Sequence, residues 1–218
     1  MKIMQASSLY RRSEIRIPGG TARPIGGFTA IELMVVVAIV AILAALAGPS
    51  FRPLIERWRV RDAAESMTST MYLARSEAIK RAGNVIIIKN DSNSTNAPNC
   101  TNATGPTQWG CGWQVFFDAD GDGIMDACNP AVTPNECPLQ STSAPTRIAV
   151  TLTGNTTGKI VIDRWGMASH STGAGAGVPT NLFFEVTPAG KDMTDASAAR
   201  LCIGMGGRIS RTKGSEVC

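Results

Sequence analysis

From Phe28 to Ala47 the chain runs for twenty residues with a single charge, Glu32. Wound as a helix at about 1.5 Å per residue, that run is roughly 30 Å long, the thickness of a bilayer hydrocarbon core. It reads as a membrane-spanning segment, and the rest of the chain must be arranged from its two ends. A carboxylate near the start of such a run loses heavily unless a positive partner lies close by. Glu32 is therefore the first candidate functional residue.

What precedes the run is basic. Residues 1–27 hold Lys2, Arg11, Arg12, Arg16 and Arg23 against Glu14, with Pro18, Gly19, Gly20 and Pro24 and no apolar core. A secretory signal carries its apolar region before its cleavage site, and here the apolar run comes after. The positive-inside rule keeps the basic end cytoplasmic and sends the C-terminal part outward. Beyond residue 27 the chain has 16 basic and 16 acidic residues, so no global field points to nucleic acid. Cys100, Cys111, Cys128, Cys137, Cys202 and Cys218 all follow the apolar run. An even number in loops of an exported region reads as disulfides. With no CxxC pair and one histidine, His170, a structural zinc site has no support. Fifteen connectivities are open. Closeness along the chain favours Cys100–Cys111, Cys128–Cys137 and Cys202–Cys218.

The stretch Gly26-Gly27-Phe28-Thr29-Ala30-Ile31-Glu32-Leu33-Met34 and the apolar run after it resemble the N-terminus of type IV pilins and type II secretion pseudopilins. The resemblance implies cleavage by a prepilin peptidase after Gly27 and N-methylation of the new terminus, Phe28. It implies that Glu32 pairs with the Phe28 amine of a neighbouring subunit during filament assembly. It also implies an α+β pilin fold: a long N-terminal α-helix, half of it transmembrane, packed on a C-terminal antiparallel β-sheet domain. The corresponding boundaries are 1–27 for the leader, 28–47 for the transmembrane half, 48–82 for the amphipathic half and 83–218 for the β-rich head. The leader is longer than the family needs, which makes Met4 an alternative start. The implied location is the inner membrane, single-pass, with the head in the periplasm, and afterwards a pilus or pseudopilus.

Gly48, Pro49 and Pro53 interrupt the helical pattern, because proline removes a backbone donor and bends or opens a helix. Past them, Val60, Ala63, Ala64, Met67, Met71, Ala74 and Ala78 recur at spacings of three and four, one face of a helix that Gly83-Asn84 stops. From there the period changes. Residues 85–89, 113–118, 148–153, 159–164, 181–187 and 200–211 read as strands in one antiparallel sheet or two packed sheets. Polar loops separate them at 90–110, 119–147 and 166–180. The Gly173–Gly177 loop is flexible and lacks the context of a phosphate cradle.

Three segments narrow the resemblance to the GspH/FimT group of minor pilins and pseudopilins: Leu73-Ala-Arg-Ser-Glu-Ala-Ile79, Gly112 to Gly123, and the tail from Arg200 to Arg211. It is weakest over 124–147, which reads as an insertion. This implies a non-enzymatic filament subunit at or near a tip, with other pilins or pseudopilins, the prepilin peptidase and the inner membrane as partners. No nucleophile–base arrangement argues otherwise.

Two ligand sites are legible. Asp118-Ala-Asp-Gly-Asp-Gly123 matches the start of an EF-hand-like calcium loop, with Asp126 at the ninth position. Asn129 stands where the bidentate glutamate belongs, and the alternative is a polar turn with no cofactor. The tail offers Arg200, Arg208, Arg211 and Lys213, cations that can hold phosphates. In FimT-type members a Gly-Arg-x-Arg-like tail is linked to DNA uptake, and Gly207-Arg208-Ile209-Ser210-Arg211 resembles it, with two residues between the arginines. The alternative is an edge strand guarded by charge. Trp109, Trp113 and Trp165 read as packing around the strands.

Overall fold

The apolar periodicity of residues 60–78 is realised as helix α2, Arg52–Arg81, which buries Val60, Ala63, Ala64, Met67, Met71, Ala74 and Ala78 on one face. In this computed structural model the described residues are 27–47, 51–126, 128–129, 131, 135–154, 157–170 and 177–218. The leader over 1–26, the break at Gly48 and Pro49 and most of the Gly173–Gly177 loop lie outside them. The chain divides into two units, Met1–Leu46 and Ala47–Cys218.

The first unit contains nearly all of helix α1, Ala30–Ala47. Its start differs from expectation: Phe28 and Thr29 precede the helix, because Thr29 caps it. Glu32 N–H donates to Thr29 Oγ1 at 3.3 Å, and Thr29 N–H donates to Glu32 Oε2 at 3.4 Å. That reciprocal pair is a capping box, which satisfies two otherwise orphaned donors. The remaining 18 residues span about 27 Å. Among the described residues no helix is long and apolar enough to cross a membrane.

The second unit holds α2 and nine strands: β1 Val85–Lys89, β2 Trp113–Phe117, β3 Gln140–Thr142, β4 Ile148–Thr153, β5 Lys159–Ile162, β6 Ala168–Ser169, β7 Leu182–Pro188, β8 Ala199–Ile203 and β9 Ile209–Lys213. They form two antiparallel sheets, ordered β3-β2-β1-β5-β6 and β4-β7-β8-β9. One core contains the buried face of α2, Ile87, Val115 and Ile160 from the first sheet, and Val150, Phe184 and Leu201 from the second. Alanine at four of the seven apolar helix positions lets the backbone of α2 come close to both sheets. Trp113 Nε1 donates to Thr70 Oγ1 at 2.9 Å, tying β2 to the helix through two buried polar groups. The far face of the first sheet is covered as well, with Ile86, Phe116 and Val161 packed beneath Met125. This explains why β1 is apolar at successive positions rather than alternating.

The expected strand over 200–211 is instead a hairpin. Gly204 N–H donates to Arg208 C=O at 2.9 Å, and Gly207 sits at φ 76° inside the turn, so β8 and β9 pair back on each other. The expected strand over 159–164 ends at Ile162, where Asp163–Gly166 turns. Short strands β3 and β6 lie inside stretches expected to be loops. Disulfides join Cys100 to Cys111, Cys128 to Cys137 and Cys202 to Cys218.

Candidate functional site

Arg75, in the second turn from the end of α2, connects two separate turns. Its Nη1 donates to the Gly207 carbonyl at 2.9 Å, and Nη2 reaches Gly206 C=O at 3.5 Å. A Cβ added at either Gly166 or Gly207 would run into the Arg75 side chain, so both glycines are there to let it through. The Asp163–Gly166 turn of the first sheet and the Gly204–Arg208 turn of the second are thereby held to one helix. Trp165, beside Gly166, is 66% exposed with the Arg164 guanidinium over its ring, whereas Trp109 and Trp113 are buried. Of the three tryptophans expected to pack around the strands, Trp109 and Trp113 lie in the core and Trp165 at the rim.

The acidic turn closes on its own backbone. Asp118 is 1% exposed; its Oδ1 accepts from Gly121 N–H at 2.8 Å and its Oδ2 from Gly123 N–H at 3.0 Å. Asp120 and Asp122 each accept from the N–H two residues on. The acid missing from position twelve comes from further along: Glu136, next to Cys137 and also 1% exposed. Its two oxygens accept from Ala119 N–H at 2.6 Å and Asp126 N–H at 3.0 Å. Asp118, Asp120 and Glu136 place one oxygen each within 4.8 Å of one another, while Asp122 and Asp126 stand outside that trio. Burial pushes the Asp118 carboxyl above the ordinary range, against the two glycine N–H groups that pull it down; burial also raises Asp126. The Lys159 ammonium donates to the Gly123 carbonyl, so a positive charge already sits at the turn. These carboxylates cap the end of β2 through backbone donors, and Asp118, Asp120 and Glu136 keep further lone pairs on oxygens gathered within 4.8 Å, beside the Lys159 ammonium.

The tail cations do not share a surface. In the register of the second sheet Arg211 falls in the row of Leu201 and Phe184, the face that α2 covers, and Arg211 Nη1 lies 3.7 Å from Glu65 on α2. Arg200 falls in the row of Glu185 and Thr212 on the other face. It is paired with Glu185 at 2.8 Å, donates to Glu216 C=O and lies over the Phe183 ring. Arg208, exposed, lines a 330 Å³ cleft on that same outer face with Phe183, Cys202 and Ser210. On the helix side, Arg211 and Lys213 instead meet Arg57 and Arg61 of α2 around a cleft of 420 Å³. Sequence spacing could not have found Arg57 and Arg61, since only tertiary packing brings α2 beside β9.

A family model described as Type II transport protein GspH matches residues 63–207. The chain belongs to the GspH family. The matched span contains both Arg75 and Gly207; Glu32 lies before it, and Arg208, Arg211 and Lys213 lie after it. Two crystal structures of the Pseudomonas aeruginosa (strain PAO1) type IV minor pilin FimU are similar to this GspH-family chain at 20% identity. One, in space group P21, is matched over 73% of this chain and 92% of FimU with a TM-score of 0.46. The other, in P65, is matched over 72% and 94% with a TM-score of 0.44. No curated protein matches the chain.

Proposed function

We propose that this GspH-family chain is a minor pilin or pseudopilin, a structural subunit of a type IV pilus or type II secretion pseudopilus, placed in the tip or initiation complex. The observation behind it is the family match over residues 63–207. In this reading a prepilin peptidase cuts after Gly27 and methylates Phe28. The apolar segment 28–47 stores the subunit in the inner membrane with its head in the periplasm, and later packs against other pilins. Glu32 is the assembly residue, because its carboxylate, bonded among the described residues to the Thr29 N–H, is exposed and open to an ammonium. The test is the mass of the chain recovered from the envelope: a start at methylated Phe28, and its presence in sheared filaments beside other pilins. Recovery of the uncut chain alone would remove the reading.

The second reading is DNA capture during transformation. The 420 Å³ cleft favours it, with the cations redistributed: Arg57 and Arg61 join Arg211 and Lys213, and Arg200 drops out because its side chain is mostly covered in its pair with Glu185, whereas Arg61 stays exposed beside Glu65. Salt-dependent retention of DNA, compared between the wild-type chain and a variant with Arg61 and Arg211 changed to Gln, tests it.

A further inference from the structure

The first two turns of α2 have a second apolar face. Phe51, Leu54, Ile55 and Trp58 recur at i, i+3, i+4 and i+7, and all four are exposed, Trp58 at 64%. At 100° per residue they lie opposite Val60, Ala63, Ala64 and Met67, which face the core. Arginines flank this stripe on both sides, Arg52 and Arg59 along one edge and Arg57 and Arg61 along the other. Arg61 pairs with Glu65. No acid among the described residues pairs with Arg52, Arg57 or Arg59. The stripe stops abruptly: the next positions on that face are Asp62 and Glu65. It occupies only the part of α2 closest in sequence to the apolar helix α1, which ends at Ala47.

We infer that this face docks on the lipid surface, with Trp58 and its apolar neighbours at the head-group boundary and Arg52, Arg57 and Arg59 on anionic lipid phosphates. This rests on the reading that α1 anchors the chain in a membrane. The occupant follows from three features together. Four residues separate Ala47 from Arg52, so no more than about 18 Å of extended chain joins the stripe to the apolar segment. An apolar stripe holding a tryptophan and edged by arginines is the pattern of an interfacial helix. It covers only about 10 Å of the helix axis and ends at Asp62 and Glu65, acids that anionic head groups repel, so the lipid-facing patch is bounded on its far side. Arginine is suited to the task because its fork binds phosphate oxygens in pairs.

The test is tryptophan quenching in the full-length chain reconstituted into vesicles of phosphatidylcholine with or without phosphatidylglycerol, with brominated acyl chains. Flotation of the chain with the vesicles reports the α1 anchor separately. Expected is strong quenching in the presence of phosphatidylglycerol, most of it lost in W58F and reduced by the combined changes R52Q, R57Q and R59Q. Quenching in W58F equal to wild type, or no dependence on phosphatidylglycerol, would overturn the inference while leaving the anchor intact. So would a photo-crosslinker at position 58 that captures a second copy of the chain instead of lipid. A chain that fails to float overturns the anchor and this inference together.

Discussion

The Arg75 guanidinium donates to the Gly207 carbonyl at 2.9 Å, across 132 positions of sequence. Two of the segments that mark the family in the sequence, the end of α2 and the glycine-rich tail, therefore meet in space. Arg75→Ala removes a partly buried, charge-assisted hydrogen bond and is expected to lower head stability by about 1.5–3 kcal/mol, read from the urea midpoint. Arg75→Lys should recover little, because a point charge cannot span Gly206 and Gly207 as a planar fork does. Gly207→Ala should be at least as harmful, since it puts a Cβ into Arg75 at a positive φ.

The Trp113–Thr70 bond predicts a second effect. Thr70→Val keeps the volume but leaves a buried indole N–H without its acceptor, at about 1–3 kcal/mol. Adding Trp113→Phe to that change should recover part of the loss, because both ends of the pair are then apolar. A double-mutant cycle reads the coupling.

These two contacts also show what was legible in the sequence. The period of Val60 to Ala78 reported the helix face directly, because burial imposes spacing on a helix. Strands β1 and β4 were equally plain, being β-branched and bounded by turn residues. The hairpin at Gly204–Arg208 was marked by Gly204, Gly206 and Gly207 but lay between two strand-like arms that read as one, and β3 and β6 are too short to show a period. Glu136 and the pair Arg57 and Arg61 were invisible for a different reason: each reaches its partners only through tertiary packing. Arg208 and Arg211 looked like one motif, yet an odd separation along an extended hairpin arm sends them to opposite faces.

Acid should weaken the contact between α2 and the loop after β7. Lys191 bridges Glu56 at 2.7 Å and Asp195 at 3.0 Å. The Ser197 backbone N–H, and then Lys191, hold Asp195 below the ordinary aspartate range. A depressed native pKa means the carboxylate is worth more to the folded state when ionised. That contribution is present at neutral pH and fades as pH falls through the ordinary aspartate value toward the lower native one. Asp195→Asn should therefore be less stable than wild type at pH 7, and the difference should shrink as pH falls below the ordinary aspartate value. Thermal unfolding across pH reads it.

The acidic turn predicts an insensitivity. Asp118 and Glu136 satisfy four backbone N–H groups of the turn without an ion, so removing calcium with a chelator is expected to leave the melting temperature unchanged. Asp118→Ala should lower it in the same buffer, by orphaning the Gly121 and Gly123 donors. A calcium-dependent rise of the wild-type melting temperature would show that the turn holds an ion.

Glu32 tests the account most directly. Its carboxylate does two things that can be separated: it completes the capping box with Thr29, worth about 1 kcal/mol, and it offers a negative charge inside an apolar segment. Thr29→Ala breaks the box and keeps the charge; Glu32→Gln keeps much of the box and removes the charge. The measurement is the amount of each variant in sheared filaments relative to the envelope pool. The account predicts that Thr29→Ala is incorporated, while Glu32→Gln is cut after Gly27, accumulates in the membrane and is missing from filaments. Incorporation of Glu32→Gln at the wild-type level would contradict it.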